Sequence, residues 1–473
     1  MPAISRWSAV AVIVAALVAA SSAGQQLAPR AAAPADLNAE IDTVVAEVLL
    51  KTGAPSASVA VVRDGAIAYV HAYGTARLDS GLSATPEMRY SIGSISKQFT
   101  AAAILLLAEE GRLSLDDRLV RWLPDLTRAN EVTLRQLLSM TAGYQDFWPQ
   151  DYVMPMMLEP VSPQGILDRW AKKPLDFEPG AKWQYSNTNY VIAGLIVEKV
   201  SGMPLLDFLN LRIFAPLHMT TVANTDPAAL GPRDPERTLR FALGPLRPAP
   251  KEGAGWMFAA GELAMTARDL ASWDVSLIAQ TVMRPASYRQ METEVQLTSG
   301  VGSHYGLGVS VGMTDGRRVS SHGGEVSGFT AQNTVYPDDG AAVAALTNLD
   351  ATDAPVQIAT KIAKLLLGGS EGEKKRATDQ ARKIFEGLQQ GRIDRTLFTA
   401  NANAYFTIQA LSDFASSLAP LGAPKEFTQQ SKSLRGGMTF RRYSAVFPKR
   451  TLRVTTFTMP DGTLEQYMVE AAE

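Results

Sequence analysis

The segment from Ser94 to Glu110 constrains the fold of this chain more than any other part of the sequence. Its apolar residues are not confined to one stripe, and Ala101 to Leu107 is an unbroken apolar run. A helix that is apolar almost all round is buried on most of its faces. Gly111 follows the segment and marks its end. We therefore expect a helix here that lies inside the core.

The length of the chain predicts more than one domain. It has 473 residues, which is more than the length of one typical compact domain. Of these residues 46% are apolar, which is enough for a sizeable core. Residues 368–376 are polar and glycine-rich, which is typical of a linker. We expect this linker to separate a large domain at residues 37–367 from a small α+β domain at residues 377–473.

Strand patterns stand at both ends of the large domain. Ser56–Val62 and Ala66–Tyr73 flank Asp64-Gly65, which is typical of a β-hairpin. Further strands are predicted at Tyr305–Val311, Arg318–Ser321, Thr330–Tyr336 and Ala341–Leu346, with Pro337-Asp338-Asp339-Gly340 as the turn between the last two. Helices are predicted at Leu37–Leu50, Leu263–Leu277 and Asp353–Leu367. These patterns indicate one sheet built from both ends of the domain, with a mostly helical insertion between them.

The small domain combines a helix with several strands. The pattern predicts a helix at Thr378–Gly391 and strands at Thr439–Val446, Thr451–Thr458 and Thr463–Val469, joined by turns at Pro448-Lys449-Arg450 and Pro460-Asp461-Gly462.

The first residues have the pattern of a signal peptide. Arg6 precedes an apolar run from Ser8 to Ala20, and small residues allow cleavage after Ala23. A transmembrane anchor is the alternative, but the run is shorter than the roughly 20 residues that span a bilayer. Residues 24–36 then form an Ala/Pro-rich leader. We expect a periplasmic or secreted protein with no stable membrane anchor.

Composition excludes several functional classes. There are no cysteines, which removes disulfides, thiolate nucleophiles and cysteine metal sites. The four histidines are far apart in sequence and form no His-Glu-x-x-His pair, so a zinc hydrolase is not expected. The net charge of -2 gives no basic excess for nucleic acid. The composition leaves the oligomeric state open.

Ser94-Ile95-Ser96-Lys97 opens the apolar helix. Residues three apart share a helical face, so Ser94 and Lys97 can meet. Burial and the positive end of the helix dipole both lower the pKa of a lysine there, which makes it a plausible base. In the alternative interpretation, Ser94 is a helix cap and Lys97 a solvated surface residue. The motif is short enough to occur by chance.

Two further short motifs carry reactive groups. In Tyr185-Ser186-Asn187, the phenol can relay a proton, and the amide can bind a substrate carbonyl or hold Lys97. A packed tyrosine followed by a capping asparagine is the alternative, and for this motif alone it is the better one. His322-Gly323-Gly324 lets a substrate backbone approach, with His322 at the mouth of the site. Its alternative is a turn between strands.

One further motif matches a nucleophile pattern but lies in the wrong context. Gly368-Gly369-Ser370-Glu371-Gly372 matches the nucleophile elbow of α/β-hydrolases, which requires a strand before it and a helix after it. Here it falls in the predicted linker, so we do not expect a nucleophile at Ser370.

Taken in order, the three motifs resemble those of the family of class C β-lactamases, DD-carboxypeptidases, D-aminopeptidases and related esterases. That family has Ser-x-x-Lys, then Tyr-x-Asn, then Lys/His-x-Gly. The flanking segments are similar too, over roughly residues 40 to 367. They are Tyr90–Gly93, Leu137–Gly143, Tyr185–Tyr190 with Gly194, Thr266–Leu270, Tyr305–Gly308 and His322–Phe329.

The resemblance implies a fold and a set of roles. The fold is α+β, with an antiparallel sheet flanked by helices and a helical subdomain at whose junction the site lies. Ser94 would be the nucleophile, with Lys97 and Tyr185 as the acid/base pair. The resemblance further implies substrate-binding roles for Asn187, His322, Gly323 and Gly324, and an oxyanion hole made by the main-chain N–H groups of Ser94 and Glu325. It implies no metal and no cofactor, and a small-molecule or peptide substrate as the partner.

His322 departs from the lysine found in typical class C β-lactamases. A neutral imidazole attracts a substrate carboxylate less than a lysine does, which favours peptidase, amidase or esterase activity over penicillin hydrolysis. A D-amino-acid peptide or a β-lactam stays open as substrate. A non-catalytic sensor or binding protein on the same fold is the alternative, and the small domain, faintly similar to cystatin-like modules, could have a separate function.

Overall fold

The computed structural model describes residues 35–367, 370–459 and 462–472. The predicted signal peptide at residues 1–23 lies outside these residues. The α-helices are α1 Ala35–Thr52, α2 Ser96–Glu109, α3 Leu134–Leu138, α4 Pro163–Ile166, α5 Asn187–Ser201, α6 Leu205–Leu209, α7 Ala267–Ala279, α8 Pro285–Glu292, α9 Ala354–Leu366, α10 Ser370–Gln389, α11 Ala400–Tyr405 and α12 Ile408–Leu418. The strands are β1 Ser56–Arg63, β2 Ala66–Arg77, β3 Leu82–Ser83, β4 Tyr90–Ser91, β5 Ala223–Asn224, β6 Thr238–Leu239, β7 Arg247–Pro248, β8 Leu263–Met265, β9 Ser310–Thr314, β10 Arg317–Val326, β11 Phe329–Tyr336, β12 Ala341–Thr347, β13 Glu426–Arg435, β14 Met438–Val446, β15 Thr451–Thr458 and β16 Leu464–Ala471.

The main sheet is antiparallel and joins both ends of residues 37–367, as predicted. Its seven strands follow the order β3-β2-β1-β12-β11-β10-β9. The early strand β1 pairs with the late strand β12, with Ala57 opposite Thr347. The predicted hairpin is also confirmed, because Arg63 pairs with Ala66 across a turn in which Asp64 and Gly65 have φ of 53° and 73°.

Both faces of the sheet are covered. Since side chains alternate along a strand, Val59 and Val61 of β1 enter one core together with α1 and α9. Ala60 and Val62 enter a second, larger core on the other face, which contains α2. This two-sided burial explains why every residue of β1 from Ser56 to Val62 is buried.

Helix α2 is buried as its sequence predicts. Every residue from Ser96 to Leu107 is buried, because the insertion between the early and late strands surrounds the helix. A short 3-10 turn at Gly93–Ile95 comes first, so Ser94 lies immediately before the α-helix rather than within it. The chain turns into the helix at this point, which leaves Ser94 at the edge of the core.

Two predicted boundaries in this region are wrong. Leu263–Met265 forms strand β8, paired with β4 and β5, and α7 begins only after Thr266, whose hydroxyl accepts the N–H of Asp269. The strand expected at Tyr305–Val311 begins at Ser310. The main chain of residues 305 and 307 instead bonds to Val295, in the loop after α8, and to Met291, at the end of α8. In both cases the partner segment, and not the local pattern, decides the structure.

Residues 370–472 contain a second sheet with a core of its own. Strands β13 to β16 pair in sequence order, and α10 packs on them through Phe385 and Leu388. The predicted strand Thr451–Thr458 has the observed bounds. Strand β13 and helices α11 and α12 were not predicted; β13 is mostly exposed and polar, so it lacks a core pattern.

The predicted linker at 368–376 overlaps a helix of the structure. Helix α10 begins at Ser370, well before the Thr378 expected for it. Glu373, Lys374 and Lys375 are good helix formers, and their propensity outweighs the glycines of this segment. Ser370 is therefore the first residue of helix α10, and the element described before it is helix α9 rather than a strand. The turn predicted at Pro460 and Asp461 lies outside the described residues.

Across the described ranges, no helix combines the length and apolar character needed to cross a membrane.

Candidate active site

Lys97 and Ser94 meet at the start of α2. The Lys97 Nζ lies 2.9 Å from the Ser94 Oγ, and it donates to the Asn187 Oδ1 at 2.8 Å and to the main-chain oxygen of Ala260 at 2.7 Å. Lys97 is completely buried, and neither Ser94 nor its neighbours cap the helix with a side chain. The alternative of a capping serine and a solvated lysine is therefore wrong.

Burial changes the acidity of this lysine. It lowers the pKa of Lys97 to about 7, and the negative charge of Asp146 partly opposes the effect. A large fraction of the amine is therefore neutral near pH 7, so that it can accept a proton from the Ser94 hydroxyl.

Tyr185 lies beside the same two groups. Its ring centroid is 5.0 Å from the Lys97 Nζ. Burial raises its pKa, and the nearby Ser94 hydroxyl lowers it by less. Within the described residues the buried phenol oxygen has no hydrogen-bond partner, so the two hydroxyls are close without meeting in hydrogen-bond geometry. Tyr185 is therefore a protonated phenol whose hydroxyl makes no hydrogen bond to the described residues.

Asn187 connects Lys97 to a carboxylate that we did not predict. It is the first residue of α5, and its Nδ2 lies 3.2 and 3.3 Å from the two oxygens of Asp146. Asp146 also accepts the main-chain N–H of Asn187 at 2.9 Å. Its position three residues beyond the family-like flank Leu137–Gly143 was the available signal in the sequence.

His322 lies on β10 inside the sheet, not in a turn. The alternative of a turn between strands is therefore wrong, and the His322 side chain is almost fully buried. Nδ1–H donates to the main-chain oxygen of Gly323 at 2.5 Å, and Nε2 accepts from the hydroxyl of Tyr305 at 2.8 Å. Burial, aided by the charge of Lys97, lowers the pKa of His322 to about 4. The imidazole is therefore neutral at neutral pH.

Two glycines bring strand β10 against the turn that carries Ser94. A Cβ on Gly324 would lie 1.9 Å from the main-chain oxygen of Ile92, and one on Gly93 would lie 2.6 Å from the main-chain nitrogen of Glu325. No side chain fits at such distances, so glycine is required at both positions. This approach places the main chain of Glu325 next to that of Ser94, where two N–H groups are expected to form an oxyanion hole.

Two cavities meet at Ser94. The first has about 420 Å³ and the second about 450 Å³. The first is lined by the aromatic residues Phe147, Trp148, Tyr152, Tyr185 and Trp256 and by the carboxylates of Asp146, Asp151, Glu325 and Asp350. The second is lined by Trp183, His322, Gly323, Gly324, Gln332 and Val356, among others. No lysine, arginine or histidine is among the described residues that line the first cavity.

The structure thus brings the eight predicted site residues to one place, although they come from three distant segments. All but Lys97 line one or both cavities, and Lys97 contacts Ser94 directly. The sequence reasoning missed Asp146, the main-chain oxygen of Ala260 and the hydroxyl of Tyr305.

Comparison with known proteins gives a consistent picture. The family model described as beta-lactamase matches residues 37–367. A D-aminopeptidase of Brucella anthropi is 30% identical over 329 residues, which cover 67% of this chain and 60% of that protein. The chain therefore spans about three fifths of the length of this relative.

Two solved structures share the fold. A D-stereospecific amidohydrolase from Streptomyces sp. is 27% identical, with a TM-score of 0.60, over 69% of this chain and 99% of that one. The octameric penicillin-binding protein homologue from Pyrococcus abyssi is 21% identical, with a TM-score of 0.63, and covers 91% of this chain and 99% of its own. Since residues 37–367 are less than three quarters of the chain, the second likeness extends beyond residue 367.

Proposed function

Because this chain belongs to the beta-lactamase family of serine hydrolases, we propose that it cleaves an amide or ester through an acyl-enzyme on Ser94. The observation that carries the proposal is the 2.9 Å hydrogen bond between the Lys97 Nζ and the Ser94 Oγ. A serine in contact with a buried amine whose pKa is lowered to about 7 is an activated nucleophile.

The reaction follows from the positions of these groups. The Ser94 Oγ attacks the carbonyl carbon while its proton passes to the neutral amine of Lys97. The negative oxygen that forms is stabilised by the main-chain N–H groups of Ser94 and Glu325. The phenol of Tyr185 gives its proton to the leaving nitrogen or oxygen, and Lys97 restores it. Water then attacks the ester on Ser94 and releases the acid, with the proton transfers reversed.

The first cavity, which carboxylates line and which we call the acidic cavity, favours a substrate with a positive charge in its acyl part. Burial raises the pKa of Glu325, and the nearby Asp151 raises it further. Burial also raises the pKa of Asp350 to about 7, with a contribution from Glu325. Burial is the larger cause of both pKa shifts, and a bound cation offsets the repulsion between carboxylates that lie close together. An ammonium group beside the scissile carbonyl supplies one.

A free amino group fits the relatives and the departure at His322. The neutral imidazole offers no positive charge for a substrate carboxylate. The D-aminopeptidase and the D-stereospecific amidohydrolase are named for the class of substrate that we propose here. The substrate is accordingly an amide or short peptide of a D-amino acid with a free amino end.

Covalent labelling tests the nucleophile. Wild type and Ser94→Ala are treated with a fluorophosphonate and mapped by peptide mass, with an excess of D-phenylalanine amide or of penicillin in parallel. We expect a label on Ser94 that the amide blocks. Blocking by penicillin alone would place the protein among β-lactam-recognising enzymes instead. A wild type without label would favour a non-catalytic binding protein.

A pair of substrates tests the acidic cavity. We expect a D-amino acid amide to be cleaved with a higher kcat/KM than its N-acetylated form. Glu325→Gln and Asp350→Asn should each reduce that preference about tenfold or more, since a charge-assisted contact contributes roughly 1.5–3 kcal/mol. Glu40→Gln, at an exposed residue of α1, is the matched control and should leave the preference unchanged. Equal rates for the two substrates in wild type would contradict the assignment.

Export rests on sequence alone. The pattern of residues 6–23 supports cleavage by a signal peptidase and a periplasmic or secreted location. Mass spectrometry of the chain recovered from cell fractions tests this, with a mature N-terminus at Gly24 as the expected result. Full-length chain in the cytosolic fraction would contradict it.

A further inference from the structure

Asp146 contacts Asn187 at the end of the amide opposite Lys97. Its Oδ1 accepts the main-chain N–H of Asn187 at 2.9 Å, the Asn187 Nδ2 at 3.2 Å and the main-chain N–H of Trp148 at 3.2 Å. Its Oδ2 lies 3.3 Å from the same Nδ2. The carboxylate is partly buried, and each of the hydrogen-bond partners named here is a donor.

This contact fixes which way the Asn187 amide points. An ionised carboxylate only accepts hydrogen bonds, so it requires the NH₂ end of the amide. The oxygen end is then directed at the Lys97 Nζ, at 2.8 Å. A flipped amide would place its oxygen against the carboxylate, where two acceptors repel each other.

The amide orientation in turn aims the lone pair of Lys97. A neutral amine has two N–H groups and one lone pair. Both the Asn187 Oδ1 and the main-chain oxygen of Ala260, at 2.8 and 2.7 Å, require an N–H. The remaining direction leads to the Ser94 Oγ at 2.9 Å. The lone pair therefore faces the hydroxyl whose proton it must take.

We propose that Asp146 is a positioning residue for acyl transfer, which keeps the oxygen of Asn187 on Lys97 so that the lone pair of the amine faces Ser94. This inference rests on the proposed function. Without the carboxylate, a flipped amide would donate Nδ2–H to that lone pair and occupy the base. A helix-capping role at the start of α5 is the competing explanation, because Asp146 also accepts the N–H of Asn187.

The charge of Asp146 separates the two explanations. Asp146 is the carboxylate that raises the pKa of Lys97 against the effect of burial. The other groups that face the amine are the rings of Tyr185 and Tyr190, at 5.0 and 5.6 Å, and His322, whose pKa the charge of Lys97 lowers. None of these supplies a negative charge at neutral pH, so loss of the carboxylate should move the Lys97 titration to lower pH.

The experiment compares Asp146→Asn with Thr266→Ala in the full chain. The second variant removes the N-cap of α7 and serves as the control for loss of a helix cap. Two quantities are followed: the pH profile of kcat/KM for a D-amino acid amide, and the Lys97 pKa from the ¹³Cε chemical shift of labelled lysine. Asp146→Ser provides the same readouts if the asparagine variant does not fold.

We expect Asp146→Asn to lower kcat/KM by up to about 100-fold, as misorientation of a catalytic group does. The acid limb of its profile and the Lys97 pKa should both move to lower pH. Thr266→Ala should lower only the melting temperature. An Asp146→Asn variant with the wild-type Lys97 pKa and acid limb would overturn the proposal and leave a capping role. If wild type forms no acyl group on Ser94, the proposed function fails, while the Lys97 titration still decides the role of Asp146.

Discussion

Gly324 packs against Ile92 so closely that one added carbon at Gly324 would lie 1.9 Å from the main-chain oxygen of Ile92. The two residues are far apart in sequence, one on β10 and the other in the turn before Ser94. Their contact joins the strand that carries His322 to the helix that carries Lys97. The distance between nucleophile and oxyanion donors therefore depends on a glycine.

The first prediction concerns this contact. Gly324→Ala should lower kcat/KM at least about 100-fold, because the strand must move away from Ser94 and a shift near 1 Å is that costly. Activity of the purified, folded variant is the measurement. Gly312→Ala on the neighbouring strand β9 is the matched control, since a Cβ there meets nothing within 4 Å. Similar activities of the two variants would contradict the role assigned to the contact.

The second prediction is the pH dependence of the reaction. Lys97 must be neutral to accept the Ser94 proton, and its pKa in the folded enzyme is lowered to about 7. The kcat/KM should therefore rise with pH through about pH 7 and level off above it, well below the ordinary lysine range. A profile of kcat/KM reports ionisations of the free enzyme. An acid limb that persists to pH 9 or higher would contradict the lowered pKa of Lys97.

The third prediction separates activity from stability at Tyr185. Tyr185→Phe should lower kcat/KM by about 10²- to 10⁴-fold through loss of the proton donor. The melting temperature should not fall, because the buried hydroxyl has no partner to lose. Tyr144→Phe is the contrast. Its hydroxyl donates to the main-chain oxygen of Thr127 at 2.9 Å, so its removal should cost about 1 kcal/mol of stability and leave activity unchanged.

The fourth prediction concerns a buried carboxyl group away from the site. Burial raises the pKa of Asp274 to about 8, and its Oδ2 has no partner among the described residues. Between about pH 4 and 8 the unfolded chain releases this proton while the folded chain keeps it, so stability falls as pH rises.

Asp274→Asn removes that ionisation. The free energy of unfolding of this variant should depend less on pH over the same range. At pH 8 it should exceed that of wild type by at least about 1 kcal/mol. The Asn333 Nδ2, which now donates to Asp274 at 2.8 Å, keeps an oxygen acceptor in the variant. Denaturant unfolding at pH 5 and pH 8 measures the difference, and parallel pH curves for the two proteins would disprove the prediction.

The sequence was sufficient where a signal is local or where several signals agree in order. The Asp64-Gly65 turn fixes a hairpin through its own backbone preferences. The apolar run in α2 can only be stable when buried, so its place in the core followed from composition along a single helix. Each catalytic motif was ambiguous by itself, and only their order over residues 94 to 324 distinguished the site from chance.

The tertiary structure decided what depends on contacts between distant segments. The oxygen of Ala260 that holds Lys97 is a main-chain atom, which every residue possesses and no sequence pattern marks. Asp146 gained its position from the fold of the loop before α5. Leu263–Met265 became a strand because β4 and β5 lie on either side to accept it. The sequence determined which side chains could react; packing between remote segments determined their distances, burial and acidity, since those quantities belong to neighbours rather than to any residue alone.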